Sequence, residues 1–289
     1  MKGEKILHMF EWRLKDITNV LDDVKNQGFT MIQVSPLQET KEEDNFQWWM
    51  LYQNINFKVG NRIGSKDDLI ELCKKAHEKG LKIIVDVALH NVGSDNQDNS
   101  IPHEKVPEYI KKHVLKVETC KDYEDRYQTT HLQVGLPLVD YDNYFIQFLH
   151  KLYLIELAGC GVDGFRWDMA KHFSLPEEGY DYFTNVLEGF EDKIIYGEIL
   201  DSATHVLDMY TKHMDIVSNK EPTDKTKLVT FFESHDTFHT WGTTKGMTFD
   251  HMLYEWDNII NNRKLNGIFF TRPFDDMWKS EQIKQINNK

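Results

Sequence analysis

Short apolar runs alternate with amphipathic segments along most of the chain. The run ILHMF near the start is followed by a segment whose apolar residues share one helix face: Ile17, Val20, Leu21 and Val24. Gly28 follows this segment as a helix stop signal, and the next apolar run, TMIQVSP, is typical of a strand. This strand–helix–strand order predicts two parallel strands joined by a crossover helix.

The same unit recurs to the end of the chain and gives eight candidate strands. They are ILHMF, TMIQVSP, LKIIVDVAL, VDGFRWD, IIYGEI, MDIV, LVTFFES and GIFFTR. Eight such units favour a closed (β/α)8 barrel of the TIM type over an open, doubly wound sheet. No strand is followed by GxGxxG or GxxxxGK[ST], which argues against a nucleotide-binding fold.

Two stretches depart from this rhythm. Residues 91–140 are rich in Asn, Asp, Lys and Glu with weak periodicity, and we interpret them as a small inserted domain. We therefore assign residues 1–90 and 141–289 to the catalytic barrel. The link between MDIV and LVTFFES is only about ten residues long, which predicts a shortened sixth helix.

Composition and charge restrict the class of partner. The net charge of −13 argues against nucleic acid or an anionic membrane and suits a neutral substrate. The three cysteines have no metal-binding spacing. No signal peptide or membrane span is visible, so we expect a cytoplasmic monomer, or a secreted protein if the chain is a mature form or a fragment.

Acidic residues stand at four predicted strand ends: Asp86, Asp168, Glu198 and Asp236. A single acid in such a place is usually a helix cap or part of a loop ion pair, but four on one barrel rim favour catalysis. Glycoside hydrolysis needs two carboxyl groups, and neighbouring strands could hold Asp168 and Glu198 about 5–5.5 Å apart, the separation of a retaining pair. Arg166 lies on the same strand face as Asp168 and could keep it ionised.

The strings GVDGFRWDMAKH, GEI and ESHD, in this order, resemble the conserved regions of the α-amylase family of glycoside hydrolases, family thirteen. The resemblance extends over the whole chain and includes FTMIQVSPLQE, WWMLYQNINFKVGNRIGS and GLPLVD. It implies that Asp168 is the nucleophile, Glu198 the general acid/base and Asp236 the transition-state stabiliser. Many members carry a β-sandwich after the barrel, but only about fifteen residues follow FFTRP here, so we expect either a minimal form or a fragment.

The resemblance also implies a set of substrate-binding residues. Tyr52 is similar to the tyrosine that stacks beneath the sugar at the cleavage point, whereas Trp48 and Trp49 either line the glycone side or pack the loop. Lys171 and His172 are similar to a pair on the leaving-group side. The remaining members are Asp86, Asn91, Arg166 and His235, with Asn91 standing where the family has histidine.

The ion sites of the family match less well. His90 and Leu138 occupy positions where the family has oxygen ligands for calcium, so we predict no tightly bound calcium and no other metal centre. The positions that hold chloride in animal-type members are Arg166, Ser234 and Arg272 here. Two of these three match, and chloride activation is therefore kept as a hypothesis.

These features predict an endo-acting enzyme that hydrolyses α-1,4-glucosidic bonds of starch, glycogen or maltodextrins with retention. Two alternatives remain open at this level. The same barrel could carry a transglycosylase or a maltogenic hydrolase, because acceptor choice depends on loop shape. The chain could also be a non-catalytic glucan-binding homologue, which the change to Asn91 would favour and the intact acids would not.

Overall fold

The computed structural model describes residues 1, 3–41, 45–95, 98–272 and 275–289. The strands are β1 (Lys5–Met9), β2 (Met31–Val34), β3 (Gln38–Thr40), β4 (Asn54–Val59), β5 (Lys82–Val87), β6 (Gly164–Trp167), β7 (Ile194–Glu198), β8 (Asp215–Val217), β9 (Leu228–Phe231) and β10 (Asn266–Phe270). Eight of them close a parallel barrel in the order β1–β2–β5–β6–β7–β8–β9–β10. Each of the eight predicted runs supplies one barrel strand, so the predicted (β/α)8 barrel is confirmed.

The helices are α1 (Leu14–Asn19), α2 (Leu21–Asn26), α3 (Lys66–Glu78), α4 (Glu108–Lys111), α5 (Arg126–His131), α6 (Tyr144–Gly159), α7 (Tyr182–Leu187), α8 (Thr204–Tyr210), α9 (Phe249–Asp257) and α10 (Glu281–Asn287). Polar side chains cap the longer ones. Ser65 and Asp68 form a reciprocal capping box at the start of α3, and Asn143 accepts from the backbone of Phe145 at the start of α6. No helix in the described part of the chain is long and apolar enough to cross a membrane.

The apolar residues form two layers around the barrel wall. Ile6, Met31, Ile84, Tyr196, Val217, Val229 and Ile268 form one buried cluster. The alternate strand positions belong to the larger cluster, together with the apolar helix faces. Because every strand is covered on both faces, the barrel is a rigid support for the loops that follow the strand ends.

The described residues between β5 and α6 form no barrel strand, and the inserted domain at residues 91–140 remains a prediction. These residues contain α4, α5 and isolated β-bridges, among them Asn91 with Leu138 and Val114 with Val139. The link from β8 to β9 has only a 3₁₀ turn at Lys225–Lys227, so among the described residues no α-helix separates these two strands. The antiparallel hairpin β3–β4 was not predicted.

Candidate active site

Strand register brings the predicted acids to one rim. In the parallel ladders, Asp86 of β5 pairs with Arg166 of β6, and Trp167 of β6 pairs with Gly197 of β7. Asp168 and Glu198 come next on their strands and therefore lie side by side at the carboxyl ends.

Arg166 is the centre of the site. Its Nη1 donates to Asp86 Oδ1 and Oδ2 at 2.9 and 3.0 Å and to Asp168 Oδ1 at 2.7 Å, while its Nη2 donates to Glu198 Oε1. The Arg166 side chain is only 4% exposed, so these contacts lie largely away from water. One guanidinium thus fixes the positions of three carboxyl groups.

Asp86 lies at the bottom of the cluster. It is fully buried, it accepts a hydrogen bond from Tyr52 Oη at 2.8 Å, and burial raises its pKa to about 6. Tyr52 comes from the 3₁₀ turn Trp48–Tyr52, just before β4. Asp86 therefore positions both Arg166 and Tyr52 and is not open to a substrate from the rim.

The pKa values of the other two acids in the cluster, Asp168 and Glu198, are also shifted. Burial raises the pKa of Asp168 and the pKa of Glu198, and the Arg166 guanidinium opposes both shifts. Three carboxylates around one cation cannot all ionise without strong repulsion, so the cluster can retain a proton near neutral pH. A general acid that works at neutral pH needs that property.

Asp236 and His235 enter from β9. Asp236 begins the π-helical turn Asp236–Thr240, and it accepts from Thr240 Oγ1 at 3.1 Å. His235 Nε2 lies 3.5 Å from Asp236 Oδ2, and burial and the nearby Arg166 lower the pKa of His235 well below its usual value. Rings stack on His235 with centroids 5.2 Å away for Tyr52 and 4.9 Å away for Phe10, so an aromatic wall holds a neutral histidine beside Asp236.

A cleft of about 550 Å³ opens from Glu198 and Asp236 towards the inserted segment. Lys171 and His172 line it, and their role on the leaving-group side remains a prediction. Burial lowers the pKa of Lys171, and it lowers the pKa of His172 to about 4. Sequence reasoning missed two further walls of this cleft, Tyr123 and Trp241, which are 46% and 51% exposed and so present open aromatic surface.

The other predicted binding residues differ in how close they lie to the acid cluster. Trp48 lies 5.7 Å from the His235 ring and joins the aromatic wall, whereas Trp49 is exposed and lies under Lys41 Nζ. Asn91 is buried, and its Nδ2 contacts Met169 Sδ at 3.5 Å, one residue beyond Asp168. Asn91 therefore borders the cluster without touching its carboxylates.

The residues considered for ions have other neighbours. Arg272 Nε and Nη2 donate to the fully buried Glu233 at 2.8 and 2.9 Å, while Arg166 faces the acid cluster. His90 is buried and its Nδ1 lies 2.9 Å from Asn91 Oδ1, while Leu138 belongs to the apolar core. Among the described residues no group of three His, Cys, Asp or Glu side chains is arranged to hold a metal. The absence of tightly bound calcium remains a prediction, and chloride activation remains a hypothesis.

This chain is similar to several known α-amylases. The family model for the α-amylase catalytic domain matches residues 12–131. An α-amylase of Clostridium acetobutylicum is 26% identical over 99% of this chain and 43% of its own length, and one of Butyrivibrio fibrisolvens is 25% identical over 93% and 34%. α-Amylase I of Eisenia fetida, solved as a point mutant in complex with maltohexaose, superposes with a TM-score of 0.78 at 18% identity, covering 95% of this chain and 68% of that one. The chain spans less than half the length of these curated relatives.

Proposed function

We propose that this chain, which is similar to α-amylases of the glycoside hydrolases, hydrolyses internal α-1,4-glucosidic bonds of glucans with retention of configuration. One observation carries the proposal: Asp168 and Glu198, on neighbouring strand ends, bind the same guanidinium, and Glu198 lines an open cleft. Glycoside hydrolysis needs two carboxyl groups that flank the scissile bond, and a pair that contacts one guanidinium lies close enough together to do so.

In the first step, protonated Glu198 donates its proton to the glycosidic oxygen while ionised Asp168 attacks the anomeric carbon. The bond to the leaving sugar breaks, and a covalent glycosyl–Asp168 ester forms. In the second step, Glu198, now ionised, takes a proton from water, and the resulting hydroxide attacks the same carbon and releases Asp168. Two inversions at one carbon give net retention.

The remaining side chains bind the sugar. Asp236 lines the same cleft as Glu198 and would bind hydroxyl groups most strongly as the ring flattens. His235 is held neutral, so it can donate one hydrogen bond without adding a positive charge that would compete with Arg166. Tyr52, fixed through its hydroxyl to Asp86, offers a ring face for the apolar side of the sugar.

The cleft on the leaving-group side decides whether water or a sugar accepts the glycosyl group. Its walls include Lys171, His172, Tyr123 and Trp241. A sugar bound there in place of water would turn hydrolysis into transglycosylation, so these residues set the balance between the two reactions.

The experiment is incubation with maltoheptaose while products are followed by proton NMR, with a Glu198→Gln variant in parallel. We expect shorter maltodextrins that first appear as the α-anomer, and a rate at least about a thousandfold lower in the variant. Products that first appear as the β-anomer would contradict the retaining mechanism. Products longer than the substrate would show transglycosylation, and binding without turnover would show a glucan-binding protein.

The same assay tests the ion sites. We expect the rate to be unchanged by a calcium chelator and calorimetry to detect no submicromolar calcium binding. Comparing the rate in chloride buffer with the rate in a buffer of another anion tests whether chloride activates the protein although Arg272 pairs with Glu233.

A further inference from the structure

A second cavity of about 520 Å³ lies on the same rim, outside the catalytic cleft. It is bordered by residues that follow β1, by Phe46, by residues that follow β4 and by residues after β10. The lining residues used below are Phe10, Glu11, Trp12, Phe46 and Arg62. Aromatic faces with a few charged groups are the surface that sugars bind, because each pyranose has apolar faces and a polar edge.

Glu11 is the most unusual group in this cavity. Its backbone has a φ of 61°, a left-handed conformation that a glutamate rarely adopts. Its amide donates to Ser35 Oγ at 3.0 Å, which holds the turn, and burial raises the pKa of its carboxyl. Within the described part of the chain, that carboxyl has neither a hydrogen-bond nor an ion-pair partner, so its acceptors are free for a ligand.

The aromatic groups around Glu11 are fixed. The Arg62 guanidinium lies 3.7 Å from the centre of the Phe46 ring, and Trp12 meets the buried Trp278 edge to face. These contacts hold the Phe46 and Trp12 side chains before any ligand arrives, which reduces the entropy lost on binding.

Phe10 separates this cavity from the catalytic site. It lines the cavity, while its ring stacks on His235 and lies 5.9 Å from Trp48. The general acid Glu198 opens on the other side, towards Lys171. Since the general acid stands beside the leaving group, the cavity lies on the glycone side.

We propose that this cavity binds a distal glucosyl unit on the glycone side of the same glucan chain that is cleaved, with Glu11 accepting from its hydroxyl groups and Phe46 packing on its ring. The proposal rests on the proposed glucan-cleaving function. A glucan that reaches the cavity must be longer than one that fills only the positions next to the cleaved bond. Glu11 and Phe46 therefore select for chain length and take no part in bond cleavage.

The test compares kcat/KM for maltotriose and maltoheptaose in Glu11→Gln and Phe46→Ala. Glu118→Gln is the matched control, since it makes the same charge change at a side chain that is 83% exposed on the inserted segment. We expect each cavity variant to lower the maltoheptaose value about tenfold and the maltotriose value less than twofold. An equal loss on both substrates would mean a structural role and would overturn the proposal, as would no loss on either.

A second experiment tests whether the cavity binds the glycone side of the glucan chain. With maltoheptaose labelled at its reducing end, loss of a glycone-side contact should shift cleavage so that the labelled fragments become longer. A shift towards shorter labelled fragments would overturn the glycone-side assignment. Calorimetry of maltoheptaose with Glu198→Gln and with Glu11→Gln/Glu198→Gln tests the cavity by binding alone. If wild type turns over no glucan, the proposed function fails. Unequal maltoheptaose affinities of these two variants would still support glucan binding in the cavity.

Discussion

Arg166 organises several carboxyl groups at once because its guanidinium has donors in a rigid, planar arrangement. Its Nη1 contacts both Asp86 and Asp168, and its Nη2 contacts Glu198. Lysine would bring the same charge to one point and could not hold the carboxyl groups in the same plane.

We therefore expect Arg166→Lys to lower kcat/KM by about a hundredfold or more at neutral pH. The acid limb of the pH profile should also move to higher pH, because Arg166 lowers the pKa of Asp168 and a less well placed cation lowers it less. The measurement is kcat/KM for maltoheptaose across pH, with the exposed Arg263→Lys as a control that leaves the profile unchanged. An acid limb that stays in place would contradict this view of Arg166.

At this scale the sequence predicts the acids better than the surfaces around them. Asp86, Asp168 and Glu198 could be predicted because strand ends and strand neighbours follow from the alternation alone. Trp241 and Phe10 could not, since an aromatic residue beside an apolar strand or in a loop is as often core as binding surface. Only their positions in the fold distinguish the two.

Close packing between barrel strands constrains the elements that carry the acids. At Gly164, on β6, an added Cβ would lie 2.1 Å from the carbonyl oxygen of Ile194 on β7. We expect Gly164→Ala to lower the free energy of unfolding by about 2–3 kcal/mol, because the two strands would have to separate. Gly159→Ala is the control: nothing lies within 4 Å of a Cβ at this position, and we expect no loss and up to about 1 kcal/mol gained. Urea unfolding measures both, and equal effects would contradict the packing argument.

The ion pair of Arg272 with Glu233 holds the segment that carries Asp236 in place. Besides its pair with Glu233, Arg272 donates to the carbonyl oxygens of Thr244 and Met247 at 3.0 and 3.3 Å. One side chain after β10 thus fixes both ends of the segment that contains Asp236.

We expect Glu233→Gln to lower kcat by about tenfold or more and the free energy of unfolding by about 3 kcal/mol, because a buried pair loses one charge. The exposed pair of Arg263 with Glu221 supplies the control, and Glu221→Gln should change stability by less than about 1 kcal/mol. A loss of stability with unchanged kcat in Glu233→Gln would show that the ion pair does not position Asp236.

Element prediction failed where the pattern was polar or interrupted. The hairpin β3–β4 was missed because Gln38–Thr40 contains no apolar run and its register to β4 is irregular. The first helix was predicted as one element but is divided at Val20 into α1 and α2. The periodicity that places Ile17, Leu21 and Val24 on one face continues across the break. The sequence pattern therefore could not reveal the break at Val20.

At the scale of the whole molecule, the buried histidines decide how stability responds to acid. Burial lowers the pKa of His90 and of His150 to about 3 and the pKa of His172 to about 4. Each remains neutral in the fold while the unfolded chain takes up a proton near the ordinary histidine value. Between these limits each of these histidines binds more protons in the unfolded state, so the contribution of the three to stability falls as pH falls.

His150 allows this effect to be measured away from the active site. It is fully buried between α6 and α7, and its Nδ1 lies 2.9 Å from Tyr182 Oη. From pH 7.5 to pH 5 its contribution to the free energy of unfolding should fall by about 2 kcal/mol, and His150→Gln should remove that part of the loss. Asp86 and Asp142, whose pKa values burial raises to about 6, act in the opposite direction, but they are present in both proteins and cancel in the comparison. Urea unfolding at both pH values measures the difference, with the exposed His205→Gln as control. An equal pH dependence in wild type and His150→Gln would mean that His150 is protonated in the fold.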